Sequence, residues 1–219
     1  FPRFSDTEET MNRRHLLAYL LVVLTLAAAP LAQGAEEAPD AWIKRLSTEV
    51  LDTIKADKSL QSGNLPKVVA LVDSKIMPNV DFQRMTASAA GPAWRKATPE
   101  QQKSLQEEFK ILLVRTYAGA LSQVSDQEIA LKPLRAAAED KEVVVRTEIR
   151  GRGEPVQLDY RLQKTPGQGA GWKIYDLNVM GVWLVETYRG QFAQEINAKG
   201  IDGLIASLAE RNKANARKG

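Results

Sequence analysis

From Asp40 onward apolar residues recur every three or four positions: Ile43, Leu46, Val50, Leu51 and Ile54 share one stripe, and Asp40 stands where a helix N-cap is needed. The spacing predicts a first amphipathic helix. Ser62-Gly63-Asn64 breaks the pattern, which resumes over 65–77 with Val68, Val69, Leu71, Val72 and Ile76 apolar and Pro66 in the first turn, then stops at Pro78-Asn79. Asp81 caps a short helix over 81–87 carrying Phe82 and Met85, and Gly91-Pro92 ends that segment. The longest helix opens at Thr98-Pro99, cap and first helical position, and lines up Leu105, Phe109, Leu112, Leu113, Tyr117 and Leu121.

Beyond Asp126 the period falls to two. Residues 141–150 place Val143, Val145, Thr147 and Ile149 on one side of a strand, and Val144, Arg146 and Glu148 on the other. After the turn Gly151-Arg152-Gly153, Val156, Leu158, Tyr160 and Leu162 alternate with Gln157, Asp159, Arg161 and Gln163, which predicts a half-buried antiparallel strand. A Gly-rich hairpin loop over 166–171 leads to a returning strand over 172–179, and a further strand is read over 128–134. Gly181 reads as a hinge from strand straight into a helix over 182–198; Gly200 stops it, and a last helix runs over 201–212 before a disordered tail, 213–219. No repeat of solenoid or propeller length recurs. Helices, then an antiparallel sheet, then helices make an α+β fold, an antiparallel sheet packed against helices with a small helical lobe, in a single domain over 35–212.

The N-terminus changes the picture. From Met11 the chain reads as an export leader, with Arg13 and Arg14 ahead of an apolar stretch from Leu16 to Ala29, and Ala32 and Gly34 spaced two apart as a signal peptidase requires. Residues 1–10 then lie upstream of the start, 11–34 form a cleaved signal peptide, and the expected fate is export from the cytoplasm. The mature part carries 27 basic and 24 acidic side chains of the 30 and 27 in the chain, because residues 1–34 hold three of each sign, so its net charge is +3. Such mild basicity gives no argument for nucleic acid. The single histidine, His15, lies in the leader, and there is no cysteine. A mature chain without His or Cys excludes Ser-His-Asp and Cys-His nucleophile systems and zinc sites built on imidazole or thiolate. Glu107 and Glu108 point about 100° apart on a helix and do not converge as a catalytic pair.

Three blocks carry a family resemblance: Ile76-Met77-Pro78-Asn79-Val80-Asp81-Phe82; Gly91-Pro92-Ala93-Trp94-Arg95 through Thr98-Pro99-Glu100-Gln101 to Phe109 and Thr116-Tyr117; and the run from Gly171-Trp172-Lys173-Ile174-Tyr175-Asp176 through Tyr188-Arg189-Gly190-Gln191-Phe192. Together they resemble the MlaC family of periplasmic phospholipid-binding proteins, also called toluene-tolerance proteins. The resemblance implies a nuclear-transport-factor-2-like curved sheet, and no enzyme. A phospholipid would be cargo rather than cofactor, carried by a soluble monomer between outer and inner membrane to maintain outer-membrane lipid asymmetry. It further implies two docking partners, an inner-membrane ABC transporter complex and an outer-membrane lipoprotein-porin complex. Trp183 departs from the small polar residue expected there, and a bulky indole would reshape a pocket mouth.

The expected lipid-binding face combines the inward strand residues Val143, Val145, Ile149, Val156, Leu158, Tyr160 and Leu162 with Tyr175, Leu177 and Val179. Helical Met77, Phe82, Met85, Phe109, Leu113, Tyr117, Tyr188 and Phe192 would close it, with Trp183 at its corner. Packed core and cavity demand the same alternation, so both stay open at this point. Arg189 reads either as a phosphate contact or as the partner of Glu186 one turn back. The rival class is an isomerase or hydrolase using the same cavity for a small apolar substrate, with Tyr160, Asp159 and Tyr175 as its nearest chemical groups.

Overall fold

Pro39 at the first helical position starts α1 (Pro39–Ala56), so the cap is Ala38, and Asp40 sits one residue further in, within the first turn, accepting from the Ala41 amide at 2.9 Å. That corrects the cap expected at Asp40. The structure, a computed structural model, describes residues 37–216 except residue 138; the expected leader and the end of the tail lie outside the described residues. Asp57 caps a single turn, α2 (Lys58–Gln61), and Asn64 caps α3 (Leu65–Leu71). The helix expected over 65–77 loosens at Val72 into a π turn, Val72–Ile76, and then a 3-10 turn, Met77–Asn79. Two causes are local: the Ser74 hydroxyl donates to the Ala70 carbonyl at 2.6 Å, and Pro78 has no amide to continue the ladder.

Asp81 accepts from the Arg84 amide at 2.9 Å and starts α4 (Phe82–Ala90), which ends at Gly91 with φ 62°. After a 3-10 stretch, Thr98 and Gln101 form a reciprocal capping box on α5 (Pro99–Ala118). The sheet is a meander in the order β1 (Glu128–Leu131), β2 (Glu142–Arg150), β3 (Val156–Lys164), β4 (Trp172–Val179) and β5 (Val182–Trp183), every pair antiparallel. The strand expected over 128–134 therefore stops at Leu131. The chain closes with α6 (Leu184–Ala216), kinked at Gly200, where φ is 71°. Helix continues to Ala216, beyond the boundary expected at 212.

The step from β4 to α6 is not the single hinge the sequence suggests. Met180 and Gly181, with φ 52° and 89°, make a two-residue hairpin turn that pairs Val179 with Val182 and Asn178 with Trp183 before α6 begins. Positive φ at both central residues is the geometry that Asn-Gly adopts most readily and that a Met side chain resists. Met180→Asn should therefore raise the folding free energy by about 1 kcal/mol, read by urea denaturation. A loss would mean that Met180 makes contacts that outweigh its backbone strain, against its exposure of 70%.

The helices support the sheet at its two sides. α1 lies over β1 and β2, whereas α4 and α6 lie over β4, and α5 packs on α6, α4 and α3 rather than on the sheet. β3 lies between β2 and β4 in the sheet, and α1 reaches its inner face at Tyr160 and Leu162. Asp176 ties sheet to helix: its carboxylate accepts from the Leu177 and Val185 amides at 2.9 and 3.1 Å and pairs with Arg161 at 2.8 Å. Burial pushes this carboxyl up, while the two amides and the Arg161 guanidinium pull it back.

Candidate functional site

The apolar interior is divided. One buried cluster joins α4, α5 and α6 around Phe109, whose ring centroid lies 5.6 Å from Phe82, 4.9 Å from Tyr188 and 5.1 Å from Phe192. A second lies under the sheet, where Val143, Val145, Tyr160, Leu162, Trp172 and Ile174 meet Trp42, Ile43 and Leu46 of α1. A third, of Ile54, Leu60, Val68, Leu71 and Val114, forms the small helical lobe. The three share no buried residue. Half-buried apolar side chains join two of them: Leu177 and Val80 touch both the first and second clusters, while Leu113 and Val179 flank the first, Leu158 the second and Val50 the third.

These positions sort the expected face into four groups. Phe82, Met85, Phe109, Tyr188 and Phe192, and on the sheet Val143, Val145, Tyr160 and Leu162, are buried core. Met77, Leu113 and Val179 are half-buried against the first cluster, Leu158 against the second and Leu177 against both, and Tyr117 is 37% exposed on α5. Ile149 and Val156 pair across β2 and β3 at the sheet end, half-buried and outside all three clusters. Tyr175 and Trp183 lie on the opposite, outer face.

A bulge moves Tyr175. Between Arg161 and Leu162 the β3–β4 register shifts, so Ile174 pairs with Leu162 and Leu177 with Tyr160, leaving Tyr175 as the extra residue. Its ring lies under the Arg84 guanidinium at 3.6 Å and its hydroxyl donates to Glu142 at 2.9 Å. The inner face of β4 is therefore Trp172 and Ile174, then Leu177 and Val179. Trp172 and Ile174 were missed, although the strand carries the signal: its apolar residues change from even to odd numbers between 174 and 177. Trp183 is moved by the hairpin, which sets it opposite Asn178 with its ring under Arg161 at 3.9 Å. Arg189 follows neither reading, since its Nε donates to the Ser88 carbonyl at 3.0 Å while Glu186 pairs with Arg161 at 3.2 Å.

Few polar groups reach the inner face. The Tyr160 hydroxyl lies 3.0 Å from Ser47 Oγ of α1, and the Thr147 hydroxyl donates to the Leu158 carbonyl at 2.6 Å. Burial pushes the Tyr160 phenol up to about 12. An unfolded chain would ionise this phenol near 10.0, so its contribution to stability is whole below that pH and disappears as pH rises through about 12. The loss amounts to about 2–3 kcal/mol. Absorbance titration at the tyrosinate band should show a late-ionising phenol that Tyr160→Phe removes; if the variant instead lost a phenol ionising near 10.0, Tyr160 would be in water. Burial also raises the Tyr117 phenol, with neighbouring Tyr188 adding to it. Among the described residues no group of three or more His, Cys, Asp or Glu side chains is arranged to hold a metal ion.

Among the described residues the arrangement is an apolar floor on β3 and β4 flanked by two helical supports. Comparison with known proteins agrees with this shape. The chain is 51% identical to a solved phospholipid-binding protein of Ralstonia solanacearum, crystallised in complex with a phospholipid, with a TM-score of 0.78 over 82% of this chain and 99% of that one. It is 29% identical to toluene tolerance protein Ttg2D of Pseudomonas putida, over 88% of this chain and 92% of the relative. It is 23% identical to the intermembrane phospholipid transport system binding protein MlaC of Haemophilus influenzae, over 87% and 90% of the two chains. The MlaC protein family profile matches residues 44–210, from α1 past the Gly200 kink, and with the α+β meander and its supporting helices this makes the chain a member of the MlaC family.

Proposed function

We propose that the chain is a periplasmic phospholipid carrier that holds acyl chains over the inner face of β3, between α1 on one side and α4 with α6 on the other. The observation that carries this reading is the divided core: Leu158, Leu177, Val179 and Leu113 are apolar and only half-buried, in a fold whose buried clusters share no residue and are bridged by half-buried side chains such as Leu177. Two acyl chains carry roughly 30 methylenes, and at about 0.8 kcal/mol each their exposure to water would cost about 24 kcal/mol. A lipid leaving a bilayer therefore needs an apolar shield, and exchange of one apolar setting for another leaves transfer nearly balanced. The head stays near water, because burying its charge without partners is prohibitive.

The carrier has no catalytic step. A Tyr160 phenol pushed up to about 12 is neutral in the periplasm and suits a wall better than a base. Lipid passes between an outer-membrane lipoprotein-porin complex and an inner-membrane ABC transporter complex, which supports outer-membrane lipid asymmetry. Protein purified from the periplasm without detergent, then extracted with organic solvent, should yield about one phospholipid per chain by mass spectrometry. An empty protein that also takes up no lipid from vesicles would end this reading.

A further inference from the structure

The two free half-edges of the sheet are treated differently. β5 covers only Asn178 and Val179 of β4, and further along that edge Val80 makes a bridge to Ile174, with the Asp81 amide donating to the Ile174 carbonyl at 2.8 Å. β1 ends at Leu131 opposite Thr147, and the Lys132 amide, donating to the Arg146 carbonyl at 2.9 Å, is the last rung. No described residue pairs with β2 beyond that rung. Backbone groups alternate in direction along a strand, so Val144 and Glu142, in step with Arg146, turn their N–H and C=O groups away from β3 into open space.

That space is a groove of about 730 Å³ on the outer face of the sheet, lined by Lys132, Pro133, Arg135, Val144, Arg146 and Tyr175 among others. Its one acidic side chain is committed: Glu142 pairs with Arg84 at 2.7 Å and accepts from the Tyr175 hydroxyl. Lys132 pairs with Glu148 at 2.8 Å. The side chains of Arg135 and Arg146 have no hydrogen-bond or ion-pair partner among the described residues. An unpaired strand edge thus lies beside two uncommitted guanidiniums.

We propose that this groove docks an extended acidic segment of a partner protein, added to the sheet as a strand beside residues 142–145 of β2. Four residues of strand span about 13 Å. Main-chain hydrogen bonds to Val144 and Glu142 supply affinity, and carboxylates at alternate positions, on the face that carries Lys132 and Arg146, supply specificity through charge-assisted bonds. A bilayer surface could meet the guanidiniums but could not pair with a strand edge inside a groove, so a protein segment fits better. The slot lies on the face opposite the apolar floor, and docking there leaves a bound lipid undisturbed.

The test replaces Pro133 with p-benzoylphenylalanine in the full chain, expressed in its native host, and maps the photo-adduct by mass spectrometry. The expected product is a protein adduct on a segment with at least two acidic residues. Arg135→Glu with Arg146→Glu should weaken it by about tenfold or more. Val144→Pro should do the same, because it removes only an outward amide and leaves the β2–β3 ladder intact. Circular dichroism and lipid content should not change in either variant. An adduct to lipid alone, to a second copy of this chain or to a segment without acidic residues, no adduct at all, or one indifferent to both variants would overturn the proposal.

Discussion

Phe109→Ala should lower the folding free energy by about 4 kcal/mol, the middle of the range for buried aromatics. Phe109 is 0% exposed and stands at the centre of the α4–α5–α6 cluster, touching Phe82, Tyr188 and Phe192 with two edge-on ring geometries. Truncation removes the transfer energy of the ring, leaves a cavity between three helices that cannot all close in, and forfeits edge-to-face contacts worth about 0.5–1.5 kcal/mol each. At about 2–4 °C per kcal/mol for a domain of this size, the melting temperature should fall by about 8–16 °C. Phe109→Leu should recover most of that loss, since a branched aliphatic side chain fills much of the volume. A fall below about 3 °C for the alanine variant would mean that this cluster is loosely packed and that the ring geometry carries little energy.

Legibility in the sequence followed the range of the interactions. Alternation in β2 and β3 named the inner face correctly, since each residue there answers only to its own strand and a regular partner: Val143 faces Leu162 and Val145 faces Tyr160 without interruption. In β4 the same rule misplaced Tyr175, because one bulged residue inverts every position before it relative to those after it. A two-residue strand such as Val182–Trp183 is shorter than any period and was absorbed into the following helix. Caps were readable at Asp81 and Thr98, where a side chain supplies the bond, and misread at Ala38, where Pro39 supplies only a fixed φ. The division of the core was invisible, because Leu112 and Leu113 look alike in the pattern although one is fully buried and the other only half-buried. Which amphipathic faces meet is decided between elements, and no local period reports it.

That division is what the second large effect tests. Leu158→Asp should abolish phospholipid recovery while the chain stays folded. Leu158 is half-buried on β3, opposite Val179 and Thr147, so a carboxylate there can keep part of its hydration in the empty protein. Acyl chains laid over it would strip that water at a cost of several kcal/mol, enough to reduce loading by roughly a hundredfold or more. Val145→Asp should behave differently: at 1% exposure, packed with the second cluster under α1, its charge has no route to water and the variant should unfold rather than empty. Val182→Asp, on a residue 51% exposed, should neither unfold nor empty the protein. Lipid content per chain after detergent-free purification, read with the circular dichroism of each variant, separates the three. If Leu158→Asp carried a full complement of phospholipid, the chains would have to lie elsewhere than over β3; if Val145→Asp stayed folded, the cluster beneath α1 would be wetter than its burial allows.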